Sequence, residues 1–86
     1  MRIQFPVIEA WDGNRDVVSF PANVDGRRVL CGISWEALQD HFGGSRTLPL
    51  EVFRANRPMI ERVAERLLLR QRLEPDGSVL IRSGDC

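Results

Sequence analysis

Lysine is missing from this chain altogether: its twelve basic residues are all arginine, set against twelve acidic ones. The resulting lack of net charge excludes a molecule-wide field that would draw in nucleic acid or an anionic membrane, so any such partner needs a local patch. All-arginine usage suits phosphate recognition, but it is also what a GC-rich coding genome produces, and composition favours the second account. Cysteine is scarce. Cys31 and Cys86 are too few for a disulfide framework or a metal-ligand cluster, so no redox or zinc role is implied. Histidine occurs once, as His41. Residues 1–8 hold Arg2, Gln4 and Pro6 where a signal peptide needs an apolar run, and no later stretch approaches a membrane span. A cytoplasmic location is the expectation. Repeats, linkers and low-complexity segments are absent too, which leaves residues 1–86 as one domain, too small for a deep enclosed cavity to be easily built.

What is present is ordinary globular material, 43% hydrophobic and 28% charged, enough to bury a core. The clearest local signal lies in residues 16–34, where two β-type runs flank Asp25-Gly26, a dipeptide suited to the positive φ angles of a type I′ hairpin turn. With those two residues as the loop, Val24 faces Arg27, Ala22 faces Val29, Phe20 faces Cys31 and Val18 faces Ile33, which gathers one apolar face. The other face, from Val17, Ser19, Pro21 and Asn23 to Arg28, Leu30 and Gly32, is mixed. Pro21 lacks a ladder donor and predicts an edge or a bulge there. Upstream, Ile3, Phe5 and Val7 alternate as a first strand before a turn-like Trp11-Asp12-Gly13-Asn14.

Ser34 reads as the N-cap of a two-turn helix over residues 35–42 with Trp35, Leu38 and Phe42 on one face, ended by Gly43-Gly44. Thr47 can cap a second helical stretch running toward Leu73, with Phe53, Ile60, Ala64 and Leu67 in one stripe and Val63 beside it. Pro58 interrupts it, giving either one kinked helix or two helices restarting near Asn56. After the Asp76-Gly77 turn, residues 78–82 read as a last strand with Val79 and Ile81 inward, and residues 84–86 as a loose tail. The fold expected is α+β: a small antiparallel sheet made of the hairpin and terminal strands, with two helices packed on one face.

In their order these residues resemble a bacterial family catalogued as domain of unknown function 1488. The resemblance rests on Ile3-x-Phe5-Pro6, Val18-x-Phe20-x-Ala22, Asp25-Gly26 and Val29-x-Cys31-x-Ile33-Ser34. It continues through Ala37-Leu38, Phe42-Gly43, Asn56-Arg57-x-x-Ile60-Glu61-x-x-Ala64 and Gly77-x-Val79. It implies a compact stand-alone α+β protein and brings no catalytic residue, ligand or partner with it. The resemblance gives no reason to expect proline at Pro58, so helix continuity there is the feature it does not carry over.

Three groups of residues invite a chemical reading, and each has a plainer one. His41 with Asp40, Ser34 and Cys31 invites a nucleophile-and-base site, but Cys31 belongs to the apolar hairpin face, Ser34 is needed as a cap, and His41 at the margin of its helix suits a structural hydrogen bond. Gly43-Gly44-Ser45-Arg46-Thr47 precedes a helix and could hold an anion on backbone amides, yet the lysine of a phosphate loop is absent. Third, Arg62, Arg66 and Arg70 at i, i+4 and i+8 make a ridge in residues 54–72, where six arginines face only Glu61 and Glu65. Pairing of Glu61 with Arg57 and Glu65 with Arg62 leaves Arg66 and Arg70 least neutralised. Beside them Met59, Leu69 and Leu73 form a second greasy strip if the helix is continuous, a mixture that suits a protein interface unless the chain's own tail or first strand covers it.

No catalytic set, cofactor or metal site emerges, and the expectation is a non-enzymatic protein-binding or regulatory module, with Met59, Arg62, Arg66, Leu69 and Arg70 as its surface and another protein or a second copy as partner. The alternative is a nucleic-acid-binding module on the arginine ridge, less favoured because no aromatic residue lies there to stack bases. A small enzyme around His41 and Cys31 comes third.

Overall fold

The computed structural model describes residues 1–43 and 48–86. Asp25 and Gly26 adopt φ of 50° and 82°, as a two-residue type I′ turn requires, and join β3 (Val17–Val24) to β4 (Arg27–Ser34). The register is the one the apolar pattern demands, with Val24 opposite Arg27 and Phe20 opposite Cys31. Val18, Phe20, Ala22, Cys31 and Ile33 are consequently all buried on one face.

On its other side β3 carries two short strands. β1 (Ile3–Gln4) pairs with Asn23 and Val24, and β2 (Ala10–Asp12) pairs with residues 17–19. The first strand is thus shorter than its alternation predicts, since Val7 is exposed, and the segment read as a turn at Trp11 and Asp12 is strand. Pro21 sits in the gap between them. Counting outward from the Val24–Arg27 pair that closes the turn, its nitrogen points away from β4, toward the stretch where neither β1 nor β2 pairs.

The last strand, β5 (Val79–Ile81), joins β4 in parallel, Cys31 opposite Val79 and Ile33 opposite Ile81. This corrects the expected all-antiparallel sheet to a mixed one of five strands. A parallel neighbour needs a long crossover, and the helices between β4 and β5 supply it. They number three. α1 (Trp35–Phe42) starts on Ser34, whose Oγ accepts from the Ala37 N–H at 3.1 Å, and stops at Gly43 with φ of 72°. α2 (Pro49–Ala55) and α3 (Arg57–Leu69) are separate helices, so Pro58 restarts the chain and does not kink it. In the first turn of α3 its missing N–H costs nothing. Thr47 and the rest of the glycine-rich segment, residues 44–47, lie outside the described residues.

All three helices pack on one sheet face. Phe20 touches Phe53 at 5.0 Å between ring centroids and Phe5 at 6.1 Å, and Ile60, Ala64, Leu67, Val79 and Ile81 close the core around them. No helix among the described residues is long and apolar enough to cross a membrane.

Candidate functional site

The outer face of α3 is held in place from both ends. At its start Asn56 Nδ2 donates to the Val52 carbonyl at 2.9 Å. Arg57, only 14% exposed, lies with its guanidinium 4.8 Å over the Phe53 ring and donates to Glu61 at 2.8 Å and Glu9 at 2.7 Å. It also donates to the carbonyls of Pro6 and Ile8, so one side chain ties α3 to the segment between β1 and β2. The Arg57 hydrogen bond holds the Glu9 carboxyl below its ordinary range, with Arg54 adding to it. Sequence spacing gives the Glu61 partner but carries no signal for Glu9, which is distant along the chain.

α3 ends at Leu69, short of Leu73. Arg72 N–H bonds the Leu67 carbonyl and Gln71 N–H the Leu68 carbonyl, with Gln71 at φ 54°, the Schellman arrangement with glutamine where glycine is usual. The continuous helix expected through Leu73 is therefore not formed, and Leu73 lies in the following loop. The C-terminal tail is not loose either. Residues Ser83–Asp85 form a short 3-10 turn to which Arg66 donates through the Asp85 carbonyl, while Arg72 pairs with the Asp85 carboxylate at 3.1 Å.

Between these ends the structure brings the expected surface together. Met59 is 58% and Leu69 56% exposed, and Arg62, Arg66 and Arg70 are exposed on the same side, opposite buried Ile60, Ala64, Leu67 and Leu68. Neither the tail nor the first strand covers the two apolar residues. Arg62, Glu65, Arg66, Leu69 and Arg70 line a shallow concavity of about 360 Å³. The charge assignment changes, however. No Arg62–Glu65 ion pair is present, and Arg66 is engaged by the tail, so on this face of α3, among the described residues, Arg62 and Arg70 are the cations held neither by a carboxylate nor by the tail.

The nucleophile-and-base residues are scattered. Cys31 is in the core, where burial pushes its thiol up to about 12. Ser34 is spent on its cap. His41 Nε2 lies 2.7 Å from the Ser83 carbonyl, a contact only a protonated nitrogen makes, so that nitrogen cannot take a proton from Ser83 Oγ at 3.2 Å. Ser83 Oγ in turn donates to Asp40 at 2.5 Å. The cluster pins the C-terminal turn to α1. Among the described residues no three acidic, histidine or cysteine side chains are grouped to hold a metal ion.

Comparison with known proteins adds kinship to this geometry. The family model described as "Protein of unknown function (DUF1488)" matches residues 3–81. The chain is 41% identical over 78 residues to a protein named "Uncharacterized protein YrdB" from Escherichia coli (strain K12), covering 90% of this chain and 92% of that one. A protein of the same name from Shigella flexneri is 40% identical over 78 residues, with the same coverage. A crystal structure of a DUF1488-family protein of unknown function from Shewanella loihica PV-4 superposes with a TM-score of 0.81 at 24% identity, over 92% of this chain and 90% of that one. At that identity the likeness speaks to the fold alone.

Proposed function

Since this chain belongs to the DUF1488 family, whose description carries no activity, its function has to be read from its own surface, and we propose that it is a non-enzymatic protein-binding module acting through the outer face of α3. The observation that carries this is the exposure of Met59 and Leu69 on either side of Arg62, Arg66 and Arg70. Apolar anchors with arginine between them are the composition of an interface centre, where a handful of residues supply most of the binding energy.

The partner that fits is another protein presenting an amphipathic helix with acidic residues between apolar ones. A second copy meeting the same face would bring arginine against arginine, a juxtaposition that costs energy. A reducing, cytoplasmic setting belongs to the same proposal and is supported by two cysteines that are both free.

The test is affinity capture from native lysate at about 0.1 M salt, where the Debye length is about 10 Å, with wild type beside an Arg62→Glu, Arg70→Glu variant and a Met59→Asp variant. Recovery of one specific protein, lost in both variants while their circular dichroism stays native, is the expected outcome. Recovery of nucleic acid alone, lost on charge reversal and as salt rises, would replace this reading with nucleic-acid binding.

A further inference from the structure

The edge of β4 is only half covered. Counting from the hydrogen-bonded Val24–Arg27 pair, residues 28, 30, 32 and 34 turn their backbone groups away from β3. β5 pairs with Cys31, Gly32 and Ile33 and no further. The N–H and C=O of Arg28 and the N–H of Leu30 are left without a backbone partner among the described residues. Beside this stretch lies an open concavity of about 840 Å³ in the line that β5 would follow if it were longer.

Its two sides differ. Toward the helices it is walled by Met1, Val24, Val29, Leu68 and Leu73 with Arg27 and Gln71 among them, so a chain lying there meets a mainly apolar surface edged by polar groups. On the helix-free side exposed Leu30 and Arg28 flank the edge, and Arg28 Nε donates only to the neutral Asn23 side chain at 3.2 Å. The two carboxylates on the rim are occupied with the protein's own turns: Asp25 accepts from Arg2 N–H at 2.8 Å, and Asp76 from Ser78 N–H at 2.9 Å and Ser78 Oγ at 2.6 Å.

We infer that residues 27–30 of β4 and the adjoining concavity form a second docking site, which takes an extended segment of a partner protein as an added strand, apolar side chains toward Val29 and Leu68 and acidic ones toward Arg28. Strand addition supplies the missing backbone partners, and alternate side chains supply the selectivity. The same arginine disfavours a second copy, because symmetric pairing about Arg28 would set the two guanidinium groups together. This site is distinct from the outer face of α3 and stands or falls separately.

The test uses the full chain and an octapeptide alternating valine and glutamate, N-methylated on its far-edge amides so that it cannot stack on itself, with a valine–lysine peptide as control. Amide NMR titration should show saturable binding of the glutamate peptide, slowed exchange at the Arg28 and Leu30 amides, and at least tenfold weaker binding of the lysine peptide. Arg28→Pro removes the outward donor without touching the ladder to β3 and should abolish binding. Arg28→Glu keeps the donor, decides the matter should the proline variant not fold, and should reverse the preference between the peptides. The Arg62→Glu, Arg70→Glu variant should bind the peptide as wild type does. Absence of saturable binding by the glutamate peptide, or binding unchanged in both Arg28 variants, overturns the inference. So does a concentration-dependent dimer that Arg28→Pro dissolves, since the occupant would then be this chain itself.

Discussion

Phe20 is wholly buried between Phe5 and Phe53, and its truncation leaves a void that neighbouring strands cannot close. Phe20→Ala should cost about 3–5 kcal/mol in urea denaturation, and a negligible loss would contradict the hairpin register. Arg57 matters through what it would abandon. Arg57→Met removes the nearer of the two arginine partners of Glu9, the pair with Glu61 and the donors to two carbonyls, and should cost about 1.5–3 kcal/mol. Because the folded carboxyl of Glu9 is held below its ordinary value of 4.5, this stabilisation is complete above that value and is lost as the pH falls through the lower folded one. Wild type should therefore lose more stability between neutral and acid pH than Arg57→Met does, as denaturation at both pH values would show. At this scale the buried side chains were legible, because period-2 and helical spacing reveal which residues share a face. The Glu9–Arg57 contact was not, because nothing local links them.

Among the elements, the Schellman end of α3 holds the clearest tension, a glutamine in the left-handed region where a side chain costs about 1–2 kcal/mol. Gln71→Gly relieves that strain but adds freedom to the unfolded chain, so a net gain of about 0.5–1 kcal/mol is expected, read as a rise in the denaturation midpoint. The hairpin, α1 and the division near Asn56 could be read or bracketed from sequence because turn, cap and proline chemistry act over a few residues. The elements that were missed depend on distant partners. β2 is a strand only because residues 17–19 of β3 offer it a ladder. The direction of β5 depends on where α3 delivers the chain, since Val79 and Ile81 would be buried in either orientation. The second docking site went unread for the same reason: an open edge exists only once it is known how far its neighbour extends.

For the molecule as a whole, one buried and one exposed thiol give a direct check on the packing. Cys86 should be alkylated in the native state, more slowly than an open thiol because partial burial and the Asp85 charge push it up, and Cys31 only after unfolding, followed as successive mass additions. Rapid native labelling at Cys31 would mean the core opens and would revive the enzymatic reading. The α3 surface was legible in outline, since Met59 and Leu69 fall off the buried stripe, but its charge was not, because Arg66 is taken up by a tail that sequence alone leaves loose. The parallel seam between β4 and β5 also has a kinetic meaning. A hairpin closed by Asp25 and Gly26 forms within about 1–10 μs, whereas β5 can add only after the crossover helices have placed Val79 beside Cys31. The seam therefore closes after the hairpin during folding. Until it closes, the bare edge of β4 runs on toward Ser34, into apolar sequence beyond the reach of Arg27 and Arg28 at its other end, so a three-residue strand serves as this protein's guard against aggregation.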